Sequence, residues 1–342
     1  MTTVKELDTA SAERWDAFVN SCPEATFFHK AGWKRVIENS FGQKSPFLYT
    51  EKDGEITGVL PLTHMKSPIF GNRLVSTAFC VDGSPAVVDE EARKALDGAA
   101  EDILKSVSAD YIEFRNPKAD RAGWQRKEGL YATFDRPIEA AEDDCLKQIP
   151  RKQRAVVRKA LKSDLTDTVD DEVDSFYGLY SFSMRNLGTP VFGKKYIRNL
   201  MTEFADCADI LTVRLDGKPL SSVLNFYFKD RVMPYYTGAA FEARKLGAAD
   251  LMYFRVMRRA VEKGFTQFDF GRSKVGTGPY SFKKNWGFEP QPLVLDFKMK
   301  GDQPMPDVNP NNPKYKLMIS TWQKLPLPVA NFIGPFIGRQ VG

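Results

Sequence analysis

Between Phe265 and Pro290 the chain reads FTQFDFGRSKVGTGPYSFKKNWGFEP, a stretch dense in residue types that handle anionic ligands. Phe268, Asp269 and Phe270 alternate apolar and polar as a buried strand does, and Gly271 ends the alternation where a side chain would obstruct a close approach. Arg272, Ser273 and Lys274 come next, then a Gly276-Thr277-Gly278-Pro279 turn, with no acidic residue from Gly271 to Phe288. Cations, hydroxyls and backbone amides in this density suit a phosphate or carboxylate; an edge strand with a solvated basic loop is the plainer alternative. Tyr280, Phe282, Lys283, Lys284 and Trp286 bring basic and aromatic groups to the same place.

Two other stretches could meet an anion. Arg244-Lys245-Leu246-Gly247-Ala248-Ala249 stands directly before a helical pattern that runs to Lys263. Small residues there let a ligand reach the amides of the first turn, where the helix dipole favours negative charge, so a pyrophosphate is the expected guest. Lys147 to Lys162, KQIPRKQRAVVRKALK, has seven basic residues and no acid. A helix starting after Pro150 sets Arg151, Arg154, Arg158 and Lys162 on one face and turns Val156 and Leu161 away. That face would hold a diphosphate or an RNA backbone, or serve only as a solvated linker.

The elements that must position these groups come in two similar series. In the first, a helix over 11–19 is followed by Thr26-Phe27-Phe28 and a helix bearing Trp33, Val36, Ile37 and Phe41. Strands at Phe47–Thr50 and Ile56–Leu62 flank Asp53-Gly54, which supplies the positive φ angles of a tight hairpin. A helix from Glu90 to Val107 and a strand at Tyr111–Phe114 close the series. In the second, Thr189-Pro190-Val191-Phe192 precedes a helix with Tyr196, Ile197, Leu200 and Phe204. A strand at Ile210–Val213, the Asp216-Gly217 turn, a strand through Val223, Asn225 and Tyr227, a helix from Ala248 and a strand at Phe268–Phe270 follow. The pattern predicts two copies of one α/β unit. The stretch from Pro290 to Tyr315 reads as a surface loop. The tail from Tyr315, with Leu317, Trp322, Phe332 and Phe336, would dock on the body or dip into a membrane surface.

Composition narrows the chemistry. Forty-nine Lys and Arg against 44 Asp and Glu leave a net charge of +5, which is compatible with local phosphate sites and too small to mark a nucleic-acid binder by itself. Cys22, Cys80, Cys145 and Cys207 stand far apart, so neither a zinc site nor a disulfide framework is indicated, and a reducing cytosol fits. Neither His29 nor His64 has a nucleophile-elbow or zinc-binding context, which argues against a Ser-His or Cys-His hydrolase and a His-rich metal site. P-loop and dinucleotide-binding glycine motifs are absent. The N-terminus lacks the apolar core of a secretory signal and no apolar run reaches the roughly 20 residues of a spanning helix, so a cytoplasmic protein is expected.

The spacing R-x-x-G-x-A at Arg244, Gly247 and Ala249 resembles the pyrophosphate turn of the Gcn-related N-acetyltransferase (GNAT) fold. The first copy has Glu91-Ala92-Arg93-Lys94 at that place and no glycine. The block Asp269-Phe270-Gly271-Arg272-Ser273 through Gly278, Tyr280, Phe282-Lys283-Lys284 and Trp286-Gly287 resembles the closing motif of the FemAB-like family, in the branch found with exosortase/PEP-CTERM export systems. With Trp33, Val59-Leu60-Pro61-Leu62 and Arg158-Lys159-Ala160, the likeness covers nearly the whole chain. It implies tandem GNAT-like domains, each a mixed, largely antiparallel sheet flanked by helices: a degenerate acceptor or scaffold domain over 1–146, a donor and catalytic domain over 147–300, and a tail over 301–342. It implies transfer of an acyl or aminoacyl group to an amine on a cell-envelope or exopolysaccharide precursor, from a coenzyme A thioester or an aminoacyl-tRNA, without a metal. The coiled-coil arm of some peptidoglycan ligases is missing, which counts against direct use of tRNA. A non-catalytic binder of an envelope precursor is the reading of another class.

The family's Phe-Lys lysine falls on Lys283, expected at the oxyanion or a donor phosphate. Asp269 would orient the amine, accept its proton or merely cap a loop. Tyr280 would protonate the leaving group or pack as an aromatic. Arg272 and Lys274 would hold phosphates, with Arg244, Gly247, Ala248 and Ala249 at the donor turn. Tyr235 and Tyr236 would line an acyl channel or fill the core, and Arg151, Arg154 and Arg158 would contact substrate.

Overall fold

Alternating apolar residues on either side of an Asp-Gly pair favour antiparallel hairpins, and they form in both halves of the chain. The computed structural model describes residues 1–68, 70–170, 172–306 and 313–341. The chain divides into one unit of Met1–Leu130, Leu293–Val308 and Arg339–Gly342 and another of Tyr131–Pro292 and Asn309–Gly338. The divisions expected after residues 146 and 300 differ from these, because the chain changes unit within a strand and returns after Pro292.

The first unit contains β1 (Thr3–Glu6), α1 (Ala12–Ser21), α2 (Gly32–Phe41), β2 (Phe47–Lys52), β3 (Glu55–Ser67), β4 (Gly71–Ser76), β5 (Ala86–Val87), α3 (Glu90–Ser106), β6 (Tyr111–Arg115) and most of β7 (Gln125–Thr133). Strands β1 to β4 are antiparallel neighbours, and β6 returns parallel to β4 after the crossover helix α3. Asp53 and Gly54 take the positive φ angles of the hairpin turn. The Asp89 carboxylate accepts the Ala92 N–H at 2.8 Å to cap α3, and Ala92, Leu96, Ala100 and Leu104 of that helix are buried.

The second unit starts with the end of β7 and continues through β8 (Asp135–Pro137), α4 (Glu142–Gln148), α5 (Arg151–Leu161), β9 (Thr166–Asp170), α6 (Val173–Leu187), α7 (Lys194–Glu203), β10 (Ala208–Leu215), β11 (Lys218–Phe228), β12 (Arg231–Ala239), α8 (Ala243–Leu246), α9 (Ala248–Glu262), β13 (Gln267–Asp269), β14 (Ser273–Lys274) and α10 (Gly278–Asn285). Strands β9 to β12 are antiparallel, and β13 returns parallel to β12 after α9. The order β9-β10-β11-β12-β13 repeats β1-β2-β3-β4-β6, so the chain is a tandem of α/β units with mixed sheets flanked by helices.

One reading of the C-terminal region changes. The expected loop after Pro290 begins as strand β15 (Gln291–Met299), antiparallel to β6. Leu293, Leu295 and Phe297 are buried with period two, a short signal among prolines that only its distant partner stabilises. Residues 307–312 lie outside the described part of the chain. The tail contains α11 (Pro313–Gln323) and α12 (Leu327–Val341). In the second unit Gly188 lies against Ile319, and Arg185 donates to the Gln323 carbonyl at 3.2 Å, so this part of the tail docks as expected. Among the described residues no helix is long and apolar enough to cross a membrane.

Candidate active site

The site grows from the place where two parallel strands part. β12 and β13 are paired only at Arg231 with Gln267 and Val232 with Phe268. Beyond that, β12 continues through Pro234, which has no N–H to donate, and Tyr235, which a bulge leaves without an opposite residue on β11. The chain after β13 turns the other way, with the Phe270 N–H donating to the Phe134 carbonyl at 2.7 Å. Ser273 and Lys274 of β14 then pair with Ala132 and Tyr131.

Helix α10 starts with Gly278 and Pro279, where proline is suited to the first turn, and carries Lys283 inward. The lysine is 8% exposed. Its Nζ donates to the Gly271 and Arg272 carbonyls, both at 3.0 Å, and lies 5.4 and 5.6 Å from the ring centroids of Phe134 and Phe270. An ammonium has three N–H groups, so these two bonds leave one for a ligand oxygen. Burial pushes its pKa down to about 7, against the pull of Asp269, and the Arg272 charge lowers it further. Such a group sits near its own titration point at neutral pH, as proton-transfer groups at functional sites do.

Asp269 accepts the Gly271 N–H at 2.7 Å and stands 4.0 Å from the Arg231 guanidinium. Burial is the main influence on its carboxyl and raises its pKa. The Arg272 guanidinium lies over the Tyr131 ring at 5.0 Å, and Tyr280 packs edge-on against Phe134 at 5.3 Å. Lys283, Asp269, Arg272, Lys274 and Tyr280 therefore share one neighbourhood. Tyr235 and Tyr236 belong to an aromatic cluster with Tyr180, Tyr196 and Phe226, in which the Tyr236 and Tyr196 hydroxyls are 3.1 Å apart.

The expected donor turn is built differently from a bare helix start. Gly247 has φ +70°, the left-handed region, and a Cβ there would lie 2.9 Å from Val156 Cγ1 and 3.4 Å from the Ala160 Cβ of α5. Ala248 is fully buried and Ala249 partly so, while Arg244 is exposed. The basic helix is thus the element that packs on this turn, with Val157 and Ala160 buried. Arg151 and Arg158 are exposed, but Arg154 donates to the Ile149 carbonyl at 3.0 Å and to the Lys147 carbonyl at 3.3 Å, tying down the helix start.

Asp250 and Gln153 escaped the sequence reading, which had Trp286 only as part of the closing motif. Asp250 in the first turn of α9 accepts the Trp286 indole N–H at 3.1 Å and a bond from the Gln153 amide, so one carboxylate oxygen ties α9 to α10 and to α5. The available signal was an acid in the first turn of a helical pattern with no cation within four residues of it. Burial raises its pKa, which makes its contribution to stability fall as pH rises from the unfolded value through the folded one. Both bonds end on Oδ1, which an asparagine reproduces. Asp250→Asn is therefore expected to leave stability at pH 7 unchanged or higher. Asp250→Ala, which orphans two donors, should lose about 2–4 kcal/mol in chemical denaturation.

Among the described residues no group of His, Cys, Asp and Glu is placed to hold a metal ion. Residues 144–284 match the model of an acetyltransferase (GNAT) domain. The chain is 28% identical over 233 residues to the lipid II:glycine glycyltransferase of Staphylococcus aureus (strain MRSA252), an alignment covering 59% of this chain and 53% of that enzyme. It thus spans about half the length of the curated relatives it matches. The crystal structure of FemX has a TM-score of 0.69 at 20% identity, covering 93% of this chain and 100% of that one. A tandem GNAT protein from the clavulanic acid biosynthesis pathway has a TM-score of 0.55 at 13% identity, covering 89% and 100%.

Proposed function

From a chain with the FemAB-like tandem GNAT fold of an acyltransferase, we propose transfer of an aminoacyl group from an activated ester to an amine on a cell-envelope precursor. The observation that carries this reading is Lys283: a buried ammonium beside the opening between β12 and β13, with one N–H to spare. Attack of the amine nitrogen on the ester carbonyl forms a C–N bond and an oxyanion, which the spare N–H of Lys283 stabilises. Collapse breaks the C–O bond to the leaving alcohol, which takes the proton that the amine gives up. Asp269, pulled toward its protonated form by burial yet linked to Arg231, is the group placed to relay that proton. No covalent intermediate on the protein is needed.

For the donor, the packing of Val156 on Gly247 favours an aminoacyl ester of tRNA over a coenzyme A thioester, because α5 covers the glycine side of the turn and presents Arg151, Lys152, Arg158 and Lys159 outward. The GNAT match and the parted strands support a thioester as the second reading. The acceptor is an amine-bearing envelope precursor such as the lipid II named for the Staphylococcus relative. The test supplies purified protein with lipid II in detergent and either a pool of charged tRNA or acyl-CoA. Expected is label transfer from tRNA, and tRNA binding whose log–log salt slope falls by about 2 in Arg151→Glu/Arg158→Glu, one unit per lost phosphate contact. Transfer from acyl-CoA with none from tRNA would replace the donor. Binding of the precursor with no transfer from either would make the protein a binder.

A further inference from the structure

Helix α12 has one apolar face docked and another facing solvent. On the docked side Ala330 is buried, Asn331 donates to the Ser181 hydroxyl at 3.2 Å, and Gly334 packs so closely on Val191 that a Cβ would lie 3.0 Å from its backbone nitrogen. On the solvent side stand Val329, Phe332, Ile333 and Phe336, which are 39%, 73%, 37% and 52% exposed. Their i, i+3, i+4, i+7 spacing makes one continuous stripe, and the Phe332 and Phe336 rings are 5.9 Å apart. The helix is already anchored, so the stripe is presented without needing to fold on contact.

We propose that this stripe seats the protein on an anionic lipid surface. Charge selects that occupant. From residue 308 to the C-terminus the sequence has no Asp or Glu, and Lys314, Lys316, Lys324 and Arg339 are its charged residues. Lys324 stands before α12 and Arg339 lies in its last turn, both exposed, so a cation flanks the apolar stripe at either end. Aromatic and aliphatic groups on one face with cations at the margins match a headgroup boundary, where apolar burial and attraction to acidic lipids add. A second copy of the chain fits less well: four side chains on one helix fall far short of the about 800 Å² per partner of a stable protein interface.

Co-sedimentation of the full chain with vesicles of equal parts phosphatidylglycerol and phosphatidylcholine, and with vesicles of phosphatidylcholine alone, tests this. Wild type should sediment with the anionic vesicles and release as salt rises. Phe332→Ser/Phe336→Ser, which alters only exposed rings and should keep its melting temperature, should partition at least about tenfold less, as should Lys324→Glu/Arg339→Glu. Transfer to a soluble acceptor should be unchanged in both, which separates this proposal from the donor and acceptor assignments. No binding by wild type, or equal binding by all three proteins, overturns it. So does a dimer in light scattering that the phenylalanine pair dissociates while vesicles bind nothing; the stripe would then belong to a second copy.

Discussion

Lys283→Met is expected to lower the transfer rate at least about 100-fold, the usual effect of losing a preorganised stabiliser of a developing oxyanion. The same substitution should remove a component of pH-dependent stability. The folded-state pKa of Lys283 is about 7 against an ordinary 10.5. Between those values the unfolded chain binds the proton more tightly than the folded one, so stability rises with pH across this window. The difference corresponds to at most about 5 kcal/mol. Below pH 7 the full penalty of burying the ammonium is present, partly offset by the bonds to the Gly271 and Arg272 carbonyls. Methionine follows the side chain as far as Cε and carries no charge. Denaturation of both proteins at pH 6, 8 and 10 should show the wild type gaining on the variant as pH rises. A parallel pair of curves would mean that Lys283 is not buried as a charge. In the activity profile, transfer that depends on the ammonium should fall as pH rises through about 7 in wild type. A rise there would assign Lys283 as the base.

The tandem fold was legible because its signals are local. Asp53-Gly54 and Asp216-Gly217 announce their hairpins with adjacent residues, and the helices after Glu90 and Ala248 carry their apolar spacing within a few turns. What escaped depends on partners remote in sequence. β15 needs β6, more than 170 residues away in its Leu295–Arg115 pair, and Leu293, Leu295 and Phe297 between prolines do not announce a strand without it. Lys283, Asp269 and Arg272 could be grouped from one motif because they lie within fifteen residues. The burial of Lys283 against Phe134 and Phe270, which turns a lysine into a group poised near neutral pH, was not readable. The basic helix shows the same limit. Its cations were evident, but the side that packs is Val157 and Ala160, and Arg154 is spent on the turn at Ile149. Only the structure shows that this helix lies on the Gly247 turn, which makes substitutions at that glycine tests of packing as much as of a donor.

Gly238→Ala is expected to be the most damaging single-methyl change in the second unit. Gly238 lies on β12 opposite Ser222, and a Cβ there would fall inside the van der Waals contact distance of the Leu179 carbonyl carbon and the Tyr180 nitrogen. These are backbone atoms of α6, so no side chain can swing aside. The helix is also pinned next to the glycine, because the Ser183 hydroxyl accepts the Ala239 N–H at 2.9 Å and lies 3.3 Å from the Ala239 carbonyl. Moving α6 away breaks those bonds and opens the cluster around Tyr180 and Tyr236. Overpacking commonly costs 1–3 kcal/mol, and backbone atoms in the path put this case at or above about 3. That is roughly 10 °C in melting temperature for a domain of this size. Gly178 in α6 provides the control: nothing lies within 4 Å of its Cβ position, so Gly178→Ala should gain up to about 1 kcal/mol from helix propensity alone. Equal melting temperatures for the two variants would show that α6 has room to move over β12. A loss confined to Gly238→Ala, accompanied by lost transfer, would show that the strand carrying Tyr235 and Tyr236 is held in place by this backbone-on-backbone contact.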